Sequence, residues 1–388
     1  MRFLFTYIGG HGHFLPLVPV ARETAACGHT VAFGCGPSMV PNVEAAGFEV
    51  FQFGSGDGEA PQRLPLRPLD LDREEREFRE HFARRGAQVR APHVLALCRK
   101  WQPDVLVCDE TDFGAMVAAE RLGLPHATVL VMAAGSFVRT EVVGEALGEL
   151  RTLQGLPPDP ALEMLRRYLL LSPFPPGFRD PRFPLPATGH SFCPGVLHEM
   201  DEEAPAWFSR LGERPTVYFT LGTVFNLESG DLFSRVLGGL RELPVNVAVT
   251  VGPYLDPEEL GPQPPNVHVA RYIAQDLLLP RCDLIVSHGG SGSVSGALLH
   301  GLPSVLVPMG ADQQLNAARC QEMGMARVLD PVGATPRSVR AAAGDALGDE
   351  RYRRAAQRLR DEFVALPGPA HAVRLLERLA VQRQAVLR

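Results

Sequence analysis

The chain has 388 residues, enough for two domains with full cores, because single cores stop growing at roughly 250–300 residues. With 45% hydrophobic and 21% charged residues it is ordinary for a globular enzyme, and its apolar runs are broken by Gly, Pro, His or charge before they could span a bilayer. A net charge of −6, with Lys100 the only lysine and no basic cluster beyond short Arg doublets, excludes the electrostatic footprint of a nucleic-acid or acidic-membrane binder.

The N-terminus, MRFLFTYIGGHGH, has one basic residue and a very short apolar run, so it reads as a first β-strand rather than a secretory signal, and a cytoplasmic protein is expected. Seven cysteines without a Cys-x-x-Cys pair read as reduced, mostly buried thiols. After the strand at 2–8, the glycines of Gly9-Gly10-His11-Gly12-His13 turn the chain into a helix over about 15–26, followed by a strand at 30–34. This opening predicts a doubly wound parallel sheet, where ligands lie outside the carboxyl ends of the strands. The glycine spacing is not that of a dinucleotide fingerprint, so phosphate binding is secondary here.

Residues 54–75, rich in Gly, Pro and charge, read as a mobile loop over the ligand edge. A helix over about 73–100 carries Phe78, Phe82, Val89 and Leu95 on one side. The strand at 103–109 ends in Asp109, a helix spans 113–122, and a strand at 127–132 leads into the segment 132–139. Residues 155–194 are proline-rich, with one helix around 161–170 and little else regular. A linker with the acidic run Glu199, Asp201, Glu202 and Glu203 separates a domain of residues 1–200 from one of residues 215–367. The second half predicts strands at 216–221, 245–251, 267–270, 283–287 and 303–307, with helices at 231–242, 275–280, 291–300 and 312–323 between them. The end is helical and Arg-rich, and a helix over about 368–388, with Leu375, Leu376 and Leu379 as its stripe, is placed back on the first domain.

The stretch SHGGSGSVSGALLHGLPSVLVP, from Ser287 to Pro308, reads strand, glycine turn, helix start. The first N–H groups of a helix lack internal partners and carry the positive end of its dipole, so a phosphate can rest there if no side chain blocks it. Gly289, Gly290 and Gly292 leave that approach open, Ser291 and Ser293 add hydroxyls, and His288 adds a ring nitrogen. The same turn also serves merely to pack a helix tightly on a sheet. His13 suits a general base, its unperturbed pKa of about 6.5 lying near working pH; the plain alternative is a loop histidine bonded to backbone. Asp109 suits a partner that fixes the imidazole tautomer, or a cap for the next helix, as does Asp112. Asp312 and Gln313 are either helix-start residues or polar groups for a ligand rich in hydroxyls.

Taken together, Gly12-His13-x-x-Pro16, Asp109, Gly222-Thr223, the His288-Gly-Gly-Ser-Gly-Ser turn and Pro308–Gln313 resemble the nucleotide-sugar glycosyltransferases of family 1, with the GT-B fold of two Rossmann-like doubly wound domains and an interdomain cleft. The resemblance runs over nearly the whole chain and is greatest to the actinobacterial branch that decorates antibiotics and other natural products. It implies that His13 deprotonates an acceptor hydroxyl with Asp109 as its partner. It implies that Thr223, His288, Ser291, Gly292 and Ser293 hold the diphosphate, that Tyr272 lines the base pocket, that Asp312 and Gln313 hold the sugar, and that Gly12, Gly222, Gly290 and Ile273 also belong to the donor site. Phe14, Phe78, Phe82, Met132 and Phe137 would line the acceptor pocket, although Phe78 and Phe82 at helical spacing also fit a core. No metal and no cofactor are implied, the reaction being inverting, with the helix dipole and His288 offsetting leaving-group charge. The partners are a nucleotide sugar and a small hydrophobic acceptor, the protein being a monomer or homodimer.

Three departures from the family pattern stand out. Ala274 replaces a proline, Ser293 replaces the commoner threonine, and Gly296 stands where users of UDP-glucose carry a glutamate for the ribose hydroxyls. The last favours a dTDP-linked sugar over UDP-glucose. A nucleotide-sugar 2-epimerase of the same fold and a non-catalytic partner of a transferase are the rival readings.

Overall fold

The computed structural model describes residues 1–54, 62–195, 205–211 and 213–388. In chain order the first half forms β1 (Arg2–Thr6), α1 (His11–Phe14), α2 (Val18–Ala26), β2 (Thr30–Cys35), α3 (Val40–Ala45), β3 (Glu49–Gln52) and α4 (Leu71–Phe78). A π-helical segment, Arg79–Gly86, runs on into α5 (Ala87–Trp101), then β4 (Val105–Asp109), α6 (Phe113–Arg121), β5 (His126–Val129), α7 (Thr140–Leu153), β6 (Leu169–Ser172) and β7 (Gly189–Ser191). The second half forms β8 (Thr216–Thr220), α8 (Leu232–Leu240), β9 (Asn246–Thr250), β10 (Val267–Ala270), α9 (Gln275–Leu278), β11 (Leu284–Ser287) and α10 (Ser291–His300). It continues with β12 (Ser304–Leu306), α11 (Gln313–Glu322), β13 (Ala326–Val328), α12 (Pro336–Gly348), α13 (Glu350–Val364) and α14 (Pro369–Gln382).

Two sheets result, each parallel throughout. The first runs β3-β2-β1-β4-β5-β6-β7 and the second β10-β9-β8-β11-β12-β13. Strand order therefore reverses between β1 and β4 in one sheet and between β8 and β11 in the other, which are the places where a doubly wound sheet opens a crevice at its carboxyl edge. Buried Val, Leu and Phe on both faces of the central strands explain why they read as continuous apolar runs.

The chain divides into two compact units. One contains residues 1–54, 72–195 and 365–388, the other residues 62–71 and 205–364. In the first unit α14 packs on α2, His29 reaches Glu377 at 3.0 Å, and the tail closes with Val386 N–H donating to Tyr168 O at 2.8 Å.

Several expectations are corrected. The helix around 161–170 is a single 3-10 turn at Glu163–Leu165, and Leu169–Ser172 is a strand; four leucine-rich residues between prolines are too short for periodicity to separate strand from helix. The helix over 73–100 is not uniformly α-helical. The wider turns of the π segment rotate the phase, so Phe78 is buried while Val89 is 67% exposed rather than on the same face. The loop over 54–75 stops at Leu71, where α4 begins; residues 55–61 lie outside the described residues, and residues 62–70 are irregular as expected but anchored within the second unit. There Arg63 makes a bidentate pair with Glu259 (2.6 and 2.7 Å), Leu64 N–H donates to Leu227 O at 2.9 Å, and Leu66 packs on the core under β8. The acidic run at 199–203 also lies outside the described residues. Among the described residues no helix is long and apolar enough to cross a membrane.

Candidate active site

In the first unit the site grows from the β1–β4 switch point. Asp109, the last residue of β4, is fully buried, which makes its ionised form costly unless its oxygens are satisfied. They are satisfied: Oδ2 accepts from Ile8 N–H at 2.9 Å, and Oδ1 accepts from Thr111 N–H at 2.5 Å and Thr111 Oγ1 at 2.6 Å. His13, on the single turn α1, brings Nδ1 to 3.2 Å from Thr111 Oγ1 and 3.5 Å from Asp109 Oδ2. Because the Thr111 hydroxyl donates to Asp109, it accepts from His13, so the imidazole carries its proton on Nδ1 and leaves Nε2 basic. Burial works against the Asp109 carboxylate, but the charge and hydrogen bond of His13, with those of Thr111 and Ile8, outweigh it and hold its pKa below the usual value. Helix capping falls to Asp112, whose side chain accepts from Ala115 N–H at 3.2 Å.

The face of the imidazole lies on Gly9, where φ is +105° and an added Cβ would stand 2.9 Å from His13 Cδ2. Arg90, buried under this edge, joins both strands by donating to Tyr7 O and to Gly34 O (3.0 Å), and pairs with buried Asp112 at 2.9 Å. Thr111 and Arg90 were not among the expected residues. Thr111 has a visible signal, since Asp-x-Thr at a strand end is the spacing of an Asx turn; Arg90 has none, being seventy-seven positions from His13.

The residues expected on the acceptor side separate. Phe14 is a core residue between Tyr7 and Phe33, with ring centroids 5.3 and 5.5 Å away, because the single turn of α1 points it under the sheet edge. Phe78, Phe82 and Phe137 form one stack, Phe78 lying 5.1 Å from Phe82 and 5.0 Å from Phe137. Met132 lies in a loop pinned from below by Glu110, whose Oε1 accepts from Val131 N–H at 2.5 Å and Met132 N–H at 2.6 Å. Burial raises the Glu110 carboxyl to about 7 against these bonds.

In the second unit the β8–β11 switch point is edged by glycine. His288 follows β11, and its ring occupies the space two missing side chains leave: a Cβ on Gly222 would be 2.6 Å, and on Gly290 2.4 Å, from Nε2. Its Nδ1 is buried without a hydrogen-bond partner among the described residues. Beyond it α10 begins with Gly290 at the N-cap and no capping side chain, as an anion site requires. Gly12, Gly292 and Thr223 are exposed, Tyr272 is half exposed, and Ile273 and Ser293 are buried.

Asp312 stands at the N-cap position of α11 but caps nothing; its Oδ2 instead accepts from Ser291 Oγ at 2.7 Å and from Asn316 Nδ2 at 2.8 Å. Asn316, fully buried, also donates to Gly289 O at 3.0 Å and so ties the phosphate-type turn to α11. The Asp-x-x-x-Asn spacing, one helical turn, was the overlooked signal. Gln313 Oε1 accepts from Met309 and Gly310 N–H (2.8 and 3.3 Å) and shapes the preceding loop. No cluster of three or more His, Cys, Asp or Glu stands in a metal-binding arrangement among the described residues.

Burial pushes His288 down to about 4, and His126 in the first unit likewise. Both are depressed below the unfolded value near 6.5, so the unfolded chain takes up protons first. The stability they contribute is whole above pH 6.5 and is lost as pH falls toward 4, by a few kcal/mol on the order of magnitude. Thermal melts should therefore fall across that window, the raised Glu110 carboxyl offsetting part of the loss; a flat profile would mean that the two imidazoles titrate in the folded protein as they do in the unfolded chain.

Residues 234–379 match the family model described as Erythromycin biosynthesis protein CIII-like, C-terminal domain. The chain is similar to 4'-demethylrebeccamycin synthase of Lentzea aerocolonigenes at 31% identity, over 97% of this chain and 99% of that protein. It is also similar to tylactone mycaminosyltransferase of Streptomyces fradiae at 29% identity, over 98% and 92%. Among solved structures, a spinosyn rhamnosyltransferase complexed with thymidine diphosphate shares the fold with a TM-score of 0.81 at 23% identity, over 97% of this chain and 100% of that one. The 31% identity to the Lentzea aerocolonigenes enzyme, held from end to end, settles the kinship: the chain belongs to the family 1 nucleotide-sugar glycosyltransferases of GT-B fold, in the actinobacterial branch that glycosylates antibiotics.

Proposed function

We propose that this glycosyltransferase moves a sugar, deoxygenated or amino-modified, from a dTDP donor to a hydroxyl of a small hydrophobic natural product, with inversion and without a metal ion. The observation that carries the reading is the imidazole of His13, held at Nδ1 by Thr111 and Asp109 with Nε2 left to take a proton. The acceptor hydroxyl gives its proton to Nε2, and its oxygen forms the new bond at the anomeric carbon. The bond from that carbon to the diphosphate breaks on the opposite side, its electron pair leaving with dTDP. Asp109 stabilises the imidazolium, while the N-terminus of α10 and His288 meet the charge that develops on the diphosphate.

Support for the donor comes from two directions. One relative is a mycaminosyltransferase by name, and the structural neighbour holds thymidine diphosphate. The position of Gly296 agrees: an added Cβ would lie 2.8 Å from Leu279 Cδ1 and 3.2 Å from Gln275 Oε1, so Leu279 and Gln275 occupy the space where a side chain would start. Without a carboxylate there UDP gains nothing from its extra ribose hydroxyl, so titration calorimetry should give dTDP a Kd no higher than that of UDP. Transfer from UDP-glucose far faster than from any dTDP-sugar would overturn the donor assignment.

A further inference from the structure

The geometry points to the π-helical segment Arg79–Gly86 as the device that seats the ring of Phe82 on the face of the His13 imidazole, making Phe82 a positioning residue for the base; this rests on the reading of His13 given above. The two rings lie 5.8 Å apart between centroids with 22° between their planes. Phe82 is itself backed by Phe78 at 5.1 Å and 30°, and Phe78 by Phe137, so the ring has little freedom to leave.

The segment reaches this place because it is not α-helical. A continuous α-helix from α4 to α5 keeps Phe78 and Phe82 on one stripe with Val89, whereas the wide turn rotates Val89 into solvent. Gly86 permits the approach. A Cβ there would stand 2.6 Å from His81 O and 2.9 Å from Ile8 Cδ1, and Ile8 is the residue whose N–H holds Asp109. The imidazole thus has Gly9 close by, Phe82 stacked beside it, and Thr111 and Asp109 at the Nδ1 edge.

An aromatic face favours the charged over the neutral imidazole, so Phe82 assists the proton transfer as well as fixing the ring. Several charged groups near the ring have partners of their own. His11 on the same turn meets Asn42 at 2.9 Å, Arg79 and Arg84 pair with Glu80 at 3.2 and 3.1 Å, Arg84 also pairs with Glu149, and His81 and Arg85 are exposed. Asp109 faces His13 at 3.5 Å.

The test compares Phe82→Leu with Phe82→Tyr. The His13 Cε1–H resonance is identified by its loss in His13→Ala, and its titration is followed beside the pH profile of acceptor kcat/KM. Phe82→Leu should lower the titration midpoint and the acid limb by about 0.5 pH units and reduce kcat about tenfold, with acceptor KM changed less; Phe82→Tyr should restore all three. In a His13→Ala background Phe82→Leu should cost nothing further. A Phe82→Leu enzyme that raises acceptor KM but leaves the midpoint and kcat unchanged overturns the proposal, leaving Phe82 a pocket wall. If His13→Ala itself retains turnover the base reading fails, and the resonance midpoint alone then decides whether the ring contact exists.

Discussion

His13→Ala is expected to lower sugar transfer to a hydroxyl acceptor by about 10³-fold while dTDP binding stays within about twofold of the parent. The size follows from what positioned proton transfer contributes, and the selectivity follows from placement: His13 belongs to the first unit and the glycine-edged turn at His288 to the second. Single-turnover transfer and calorimetry on the same preparation measure the two quantities. Turnover retained at more than about a tenth of the parent rate would remove His13 as base. Loss of dTDP binding in the same variant would instead mean that α1 contributes to the donor site.

The second large effect is expected at Gly290. Its φ of −62° and ψ of 148° suit alanine, so Gly290→Ala strains no backbone. The added methyl would lie 2.4 Å from His288 Nε2 and 3.1 Å from Cε1, and the ring must give way. Since its Nε2 sits beside the start of α10, displacement should weaken dTDP by at least about tenfold, close to 1.4 kcal/mol. Gly292→Ala is the control: its methyl meets no protein atom within 4 Å, so any loss there reports the ligand rather than the protein. Equal Kd values for Gly290→Ala and the parent would show that His288 does not touch the diphosphate.

Much of the fold was legible because parallel strands buried on both faces announce themselves as short apolar runs ending in Gly, Asp or His. Asp109 and His288 could be placed at strand ends for that reason. Legibility failed where local pattern and tertiary setting part. The strands β6 and β7 are four and three residues long among prolines, too short to carry a period. Phe14 and Phe82 are both phenylalanines near His13, yet one fills the core and the other stacks on the imidazole; only the single turn of α1 and the π segment separate them. Asp312 reads equally as a cap or as a ligand group, because capping and ligand binding use the same residue type at the same position. In the structure its carboxylate holds Ser291 and Asn316 and not the helix start.

Residues 62–71 are drawn from the first half of the sequence but are anchored on the second unit by Arg63, Leu64 and Leu66. The boundaries of inheritance in this protein therefore differ from the boundaries in its sequence. A chimera joined once near residue 205 would place a foreign strap on the β8–α8 surface, with Leu66 against a core it was not selected to fit. Recombining donor and acceptor halves among such enzymes calls for two grafts, the contiguous second half together with the ten residues at 62–71, and a return to the parent at residue 365 so that α14 stays with α2.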